Sequence, residues 1–173
     1  MADLSPETIE QLVHGLTYSI PQLTDLHAEI ALRTIARARY RKIDQLEDEE
    51  PEWPLRRRWP HNLGPSIDVP RGWGDVVFTM CEMIFEVSPT SRIEVIKPHY
   101  GRLRAFALPS GDEGKVLYEV FDAAAAVADN ICQKCGERGR FRRSPKGCYS
   151  IRCDECADEG SWVLFAPPGW RGR

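Results

Sequence analysis

Two stretches near the N-terminus carry apolar residues at the spacing of amphipathic helices. Ser5 and Pro6 form a helix start, with Ser5 as the N-cap and Pro6 in the first turn. A second, longer helix is predicted from Thr24 or Asp25 to about Leu46. Its apolar stripe contains Ala28, Leu32, Ile35, Ala36, Tyr40, Ile43 and Leu46. Together the two helices predict an antiparallel helical hairpin over residues 1–50.

The segment 51–70 breaks this periodicity with five prolines. Trp53 and Trp59 flank a run of three arginines, Arg56, Arg57 and Arg58. Because proline removes a backbone donor and restricts φ, we expect a linker or binding loop that lacks regular structure over much of its length.

Residues 71–130 predict a small helix–β-hairpin–helix unit. Gly72 and Trp73 lead into an amphipathic helix that contains Cys81. Residues 92–97 and 103–107 then alternate apolar and polar positions around a turn, which is typical of a β-hairpin. A further helix is predicted from Lys115 to Asn130. The chain as a whole is therefore predicted to be α+β.

Two Cys-x-x-Cys pairs follow, Cys132/Cys135 and Cys153/Cys156, with seventeen residues between the pairs. Each pair can point two sulfurs at one centre, and Gly136 permits the positive φ that such a knuckle tends to need. Short strands at 141 and 149–151, joined by a turn at 144–147, predict a hairpin between the knuckles. The pattern predicts a zinc ribbon with a Gly/Pro-rich tail over residues 131–173, in which four thiolates hold a structural Zn2+.

Other cysteine chemistries fit the pattern less well. A thioredoxin-like motif needs a Cys-x-x-Cys pair that opens a helix after a buried strand, and neither pair follows an apolar run of that kind. Disulfides need an oxidising compartment, and residues 1–6 contain no basic and apolar signal segment, so we expect a cytoplasmic chain with reduced thiols. Cys148 is a fifth candidate ligand that lies out of register with both pairs, and we interpret it as a small strand residue. Cys81 is interpreted as a core thiol.

The formal net charge of -3 argues against binding nucleic acid through overall charge. Residues 131–173 nevertheless carry nine bases against five acids, an excess that shrinks once four thiolates and one Zn2+ are counted. Basic residues that can approach phosphates or a partner are Arg140, Arg142, Arg143 and Lys146, together with Arg56, Arg57 and Arg58. A solvated, arginine-rich surface is the alternative explanation. Arg39 falls within the predicted stripe of the second helix, where it must reach water, find a carboxylate or face a partner.

The motifs from Gly72-Trp73, through Ile-Lys-Pro-His-Tyr-Gly-Arg-Leu-Arg at 96–104, to the two cysteine pairs resemble a family of small bacterial and phage zinc-ribbon proteins. In that family a Gly-Trp helix precedes a hairpin that reads approximately Val-Lys-Glu-Lys-Phe-Gly-x-Leu-Arg-x-Tyr, and a helix then enters a ribbon. The resemblance covers about residues 72–157 and departs from the family pattern at Pro98 and His99. It implies the architecture and an intracellular setting, and it brings no catalytic residues.

No pattern in the chain indicates catalysis. The four histidines are scattered, no nucleophile motif or phosphate-binding loop is present, and a four-thiolate zinc has no open position for substrate. We therefore expect a non-enzymatic protein, and no apolar run is long enough to span a membrane. The predicted function is the binding of a protein partner, as a bacterial or phage regulator or inhibitor. The alternative is nucleic-acid binding through the ribbon, which the small basic excess makes the weaker of the two.

Overall fold

The computed structural model describes residues 25–44, 50–109 and 113–166, and within the first range it describes side chains up to residue 39. The predicted helix that begins at Ser5 lies outside these residues. The second predicted helix is confirmed as α1, Asp25–Asp44.

The described chain mixes helices with two small sheets, which confirms the predicted α+β class. The central elements are α2 (Glu52–Arg58), β1 (Leu63–Ile67), a 3-10 turn (Arg71–Trp73), α3 (Gly74–Val87), β2 (Arg92–His99), β3 (Arg102–Leu108) and α4 (Gly114–Ala128). The C-terminal elements are β4 (Arg140–Arg143), β5 (Tyr149–Arg152), α5 (Asp154–Asp158) and β6 (Val163–Leu164). The predicted helix–hairpin–helix order and the hairpin between the cysteine pairs are both confirmed.

The central sheet has the strand order β1-β2-β3. β2 and β3 pair antiparallel, from Arg92 opposite Leu108 to His99 opposite Arg102. β1 pairs parallel with β2, and α3 connects these two strands, as parallel neighbours require a crossover. Along β3, Leu103 is buried while Phe106 lies exposed on the opposite face. One face of the sheet is therefore covered and the other is open among the described residues.

The core lies between the covered face of the sheet and the helices α1, α3 and α4. Every residue of α3 from Val76 to Phe85 is buried except Glu82. Because α3 is enclosed by its neighbours, it needs apolar residues around most of its circumference. Cys81 is fully buried there, as predicted, and burial raises the pKa of its thiol.

The buried face of α1 differs from the predicted stripe. Ile30, Ala31 and Thr34 are buried, whereas Leu32 is 53% exposed and Ala36 lies at the surface. The helix carries apolar residues on several sides, so hydrophobic periodicity alone could not identify the side that faces inward.

Two arginines hold α1 in this orientation against α3. Arg33 pairs with Glu86 at 3.2 Å, and the guanidinium of Arg37 lies 3.2 Å from the centroid of the Phe78 ring. These contacts lie beside the side of α1 on which Ile30 is buried in the core.

The prediction that residues 51–70 lack regular structure is wrong, because the segment contains α2 and β1. Pro54 lies in the first turn of α2, where a missing amide hydrogen breaks no helical hydrogen bond. Pro65 lies in an edge strand, within the register shift between Leu63 and Ser66. Edge strands and bulges are the places in a sheet that accept proline. The apolar residues that anchor the segment in the core are Leu55, Trp59, Leu63, Ile67 and Val69.

Candidate metal centre

The first cysteine pair lies in the turn directly after α4. Cys132 is fully buried, and its amide donates to the carbonyl of Glu137 at 2.7 Å. Gly136 has a φ of 84°, which confirms the predicted positive φ. The amide of Gly136 donates to the carbonyl oxygen of Cys132 at 3.0 Å. This hydrogen bond closes the turn and directs Cys132 and Cys135 toward one centre.

The second cysteine pair lies at the start of the short helix α5. Cys153 is its N-cap residue, and the Sγ of Cys153 accepts a hydrogen bond from the amide of Cys156 at 3.4 Å. A sulfur in this position meets amide hydrogens that the first turn of a helix leaves without partners. The helix start therefore positions both cysteines of the second pair.

The four sulfurs form one compact group. The Sγ atoms of Cys132, Cys135, Cys153 and Cys156 all lie within 4.8 Å of one another, and those of Cys135 and Cys153 are 3.6 Å apart. Tetrahedral coordination with Zn–S bonds of about 2.3 Å requires sulfurs about 3.8 Å apart. The donor type and the spacing both fit a four-thiolate metal site, and zinc is one ion that such a set of ligands binds.

The thiols of the group have unequal acidity. Burial raises the pKa of the Cys132 thiol, but hydrogen bonds from the backbone amides of Cys153, Cys135 and Lys134 lower it by more. The net effect is a pKa of about 7, below the usual value. Burial raises the pKa of Cys135, and it raises that of Cys156 to about 11. Four thiolates this close repel one another unless a cation neutralises them, so a bound divalent ion would account for the arrangement.

Gly72 and Trp73 brace the first knuckle from the central unit. The amide of Gly72 donates to the carbonyl of Gln133 at 2.9 Å, and the indole Nε1 of Trp73 donates to the carbonyl of Ile131 at 3.0 Å. Trp73 is fully buried. A Cβ on Gly72 would overlap the carbonyl oxygen of Cys132. Only glycine therefore allows the 3-10 turn to approach the cysteine turn this closely.

A buried polar network joins the ribbon to the β2–β3 turn. The side-chain amide of Gln133 donates to the carbonyl of Gly101 at 3.0 Å and accepts from the hydroxyl of Ser150 at 2.7 Å. Gly101 has a φ of 79° and packs against the backbone of Tyr149 and Ser150. Sequence reasoning missed this network, although Gln133 between the two cysteines of the first pair was a visible polar residue.

Two of the predicted phosphate-contacting arginines make internal contacts. Arg140 pairs with Asp154 at 2.9 Å, and Arg142 pairs with the same carboxylate. The side chain of Arg142 is only 8% exposed, and it also donates to the carbonyl of Arg152 at 3.2 Å. Both arginines therefore join the hairpin to the helix that carries Cys156.

The other predicted contact residues are divided among separate surfaces. Arg143 and Lys146 are exposed on the ribbon hairpin, and the guanidinium of Arg143 lies 6.0 Å from the ring centroids of Tyr149 and Phe165. Arg56 pairs with Glu52 at 2.5 Å and donates to the carbonyl of Gly64, which ties α2 to β1.

The exposed arginines Arg57 and Arg58 lie at the end of α2. Arg39 is exposed on α1, outside the buried face that Ile30 defines. Cys148 is exposed and lies outside the four-sulfur group. The structure thus brings the four predicted metal ligands together and does not gather the predicted basic residues into one site.

The chain matches no protein-family model, no curated protein and no solved structure with which it was compared. The resemblance to the bacterial and phage zinc-ribbon family stays an interpretation of the motifs. None of the helices in the described part of the chain combines the length and the apolar character needed to cross a membrane.

Proposed function

We propose that this chain is a non-enzymatic, cytoplasmic zinc-ribbon protein that acts by binding a protein partner. The observation that carries the proposal is an apolar strip on the open face of the central sheet. Phe106 and Leu108 occupy successive outward positions of β3 and are 46% and 53% exposed, and Val95 lies opposite Phe106. Single exposed apolar residues are ordinary, but a continuous exposed strip is typical of an interaction surface.

The metal centre has a structural role in this proposal. Four thiolates fill the tetrahedral positions of a zinc ion, so no position is left for a substrate or a reactive water. The metal would hold the two cysteine turns together, and through Gln133 and Gly72 it would hold the ribbon against the central unit.

The internal pairing of the ribbon arginines favours a protein partner over nucleic acid. Asp154 neutralises part of the charge of Arg140 and Arg142, and these contacts hold both guanidinium groups close to the ribbon. Phosphate binding draws on several accessible cations, and each one that is paired internally contributes less.

A second candidate function is nucleic-acid binding by the ribbon hairpin. Arg143 and Lys146 are exposed there, and the Tyr149 and Phe165 rings beside Arg143 are of the type that stack on bases.

Affinity capture with the zinc-loaded full chain tests the first function. The bait is incubated with a nuclease-treated lysate of the source cells, and retained proteins are tested again after purification. Phe106→Ser is the test variant, and Tyr118→Ser, at a residue that is 42% exposed on α4, is the matched control. We expect the wild type and the control to retain the same protein. The amount of that protein retained by Phe106→Ser should be at least about tenfold lower.

Retention of nucleic acid alone would contradict the first function. Binding that falls steeply with salt and is lost in an Arg143→Ala, Lys146→Ala double variant would support the second. A chain that retains neither protein nor nucleic acid contradicts both.

A further inference from the structure

The two edges of the central sheet differ in how they are protected. At the β1 edge, Pro65 has no amide hydrogen, the register shifts between Leu63 and Ser66, and Arg56 donates to the carbonyl of Gly64 at 3.1 Å. Proline, bulges and capping side chains are the devices that keep an edge strand from pairing with another chain. The β1 edge is therefore blocked.

Among the described residues, β3 itself carries neither proline nor a capping side chain, and the bulge in its pairing with β2 lies on β2, between Ile93 and Val95. β3 spans Arg102–Leu108 without proline or glycine, and among the described residues it pairs only with β2. An edge strand of this length presents a row of backbone donors and acceptors to an incoming strand. The contrast between the two edges singles out β3 as the side at which a further strand can be added.

The side chains beside this edge combine positive charge with apolar surface. Arg104 lies directly opposite Lys97 of β2, both are exposed, and within the described chain no carboxylate lies within ion-pair distance of either. The neighbouring Arg102, by contrast, pairs with Asp129. Phe106 and Leu108 continue the same outward face as an apolar strip.

We propose that β3 binds an extended acidic segment of the protein partner, which adds to the sheet as a fourth strand. The inference rests on the proposed function and specifies its surface and the chemistry of the partner. Backbone hydrogen bonds to β3 would provide the pairing, and a carboxylate would meet Arg104, while Lys97 on the next strand adds positive charge. Branched apolar side chains would cover Phe106 and Leu108.

Charge argues against the other occupants of this edge. A second copy pairing through β3 would bring two Arg104–Lys97 pairs onto one sheet face, where like charges repel. A nucleic-acid strand has no peptide groups to hydrogen-bond to the backbone of β3. Two cations beside an apolar strip also offer little for a phosphate backbone to bind.

Fluorescence polarisation with a labelled peptide tests the inference on the zinc-loaded full chain. The peptide has about nine residues, enough to cover β3. Threonine occupies every second position of the peptide. The remaining positions, which share one face of the strand, are filled by glutamate and valine in alternation. Two further peptides test the backbone pairing. One carries N-methyl groups on the odd-numbered amides and the other on the even-numbered amides, because only one of these sets can donate to β3.

Arg104→Glu is the test variant, and Lys115→Glu is the control with the same charge change. Lys115 lies on α4, and its side chain is 88% exposed. We expect Arg104→Glu to weaken peptide binding at least about tenfold and Lys115→Glu to change it less than about twofold. One N-methylated peptide should lose binding and the other should retain it. Circular dichroism and zinc content establish that both variants are folded.

The inference is wrong if the unmodified peptide does not bind, or if both N-methylated peptides bind as well as the parent. It is also wrong if the wild type sediments as a dimer that Arg104→Glu dissociates, or if DNA binds at the edge instead. If the peptide fails while lysate capture still identifies a partner that depends on Phe106, this inference fails and the proposed function stands. If lysate capture identifies no protein, the proposed function itself fails.

Discussion

Substitution of Gly72 by alanine should disturb the metal centre from outside its ligand set. The added Cβ would overlap the carbonyl oxygen of Cys132 and lie 2.5 Å from the amide nitrogen of Gly136 and 3.0 Å from the carbonyl carbon of Gln133. All three atoms belong to the backbone of the first cysteine turn. The clash cannot be relieved by a side-chain rotation, so the 3-10 turn and the cysteine turn must move apart.

The cost follows from two contributions. Overpacking of a well-packed site costs about 1–3 kcal/mol, and weakening the hydrogen bond from Gly72 to Gln133 costs about 1 kcal/mol more. We expect the free energy of unfolding to fall by about 2–4 kcal/mol. Because the shift displaces a turn that carries two sulfurs, zinc affinity should fall about 10- to 100-fold, as for substitutions that disturb residues supporting metal ligands.

Urea unfolding and chelator competition measure the two effects on the full chain. Gly114→Ala is the matched control, because its added Cβ would lie 3.4 Å from the Cγ of Pro109, an ordinary contact at the start of α4. The control should change neither quantity by more than about 0.5 kcal/mol or about twofold. A Gly72→Ala protein with wild-type stability and wild-type zinc affinity would show that the close approach of the two turns is not needed for either property.

Two further predictions concern charged groups near the ribbon. Arg142→Ala should lower the free energy of unfolding by about 1–3 kcal/mol, because it removes a buried side chain and leaves the part-buried carbonyls of Arg152 and Trp162 without this donor. Arg140→Ala, at an exposed pair with the same Asp154, should cost about 1 kcal/mol or less. Equal losses in urea unfolding would contradict the structural role of Arg142. Burial raises the pKa of Asp129 above its usual value despite the hydrogen bond from Arg102, so the folded state keeps this proton to higher pH than the unfolded state does. The associated stability is present below pH about 3.9 and is lost as the pH rises through the folded pKa. The unfolding free energy of the wild type relative to Asp129→Asn should therefore fall over that range, and a rise would show that the Arg102 contact outweighs burial.

Features encoded by short-range patterns were predictable from the sequence. The cysteine spacing identified the four sulfurs that lie together, and the period-two alternation identified β2 and β3 as strands. It did not identify which side of β2 faces the core, because the pairing shifts register between Ile93 and Val95. Each depends on residues that are close in sequence or on a repeated period.

Features that depend on distant contacts were not predictable. The proline content of residues 51–70 concealed β1, because only the pairing with β2 shows that Pro65 lies at an edge. The inward side of α1 depends on its packing against α3 and α4, which are distant in sequence; Arg33, for example, contacts Glu86 fifty-three positions away. The contact of Gly72 with the first knuckle is likewise set by tertiary packing.

We infer that the four cysteines hold a metal ion in a closed, structural site. Metal analysis of the purified full chain, combined with X-ray absorption at the zinc edge, tests it directly. We predict about one zinc per chain with four sulfur ligands at about 2.3 Å and no nitrogen or oxygen ligand. A fully folded protein that contains no metal, or a zinc shell with a nitrogen or oxygen ligand, would rule out a closed four-thiolate site.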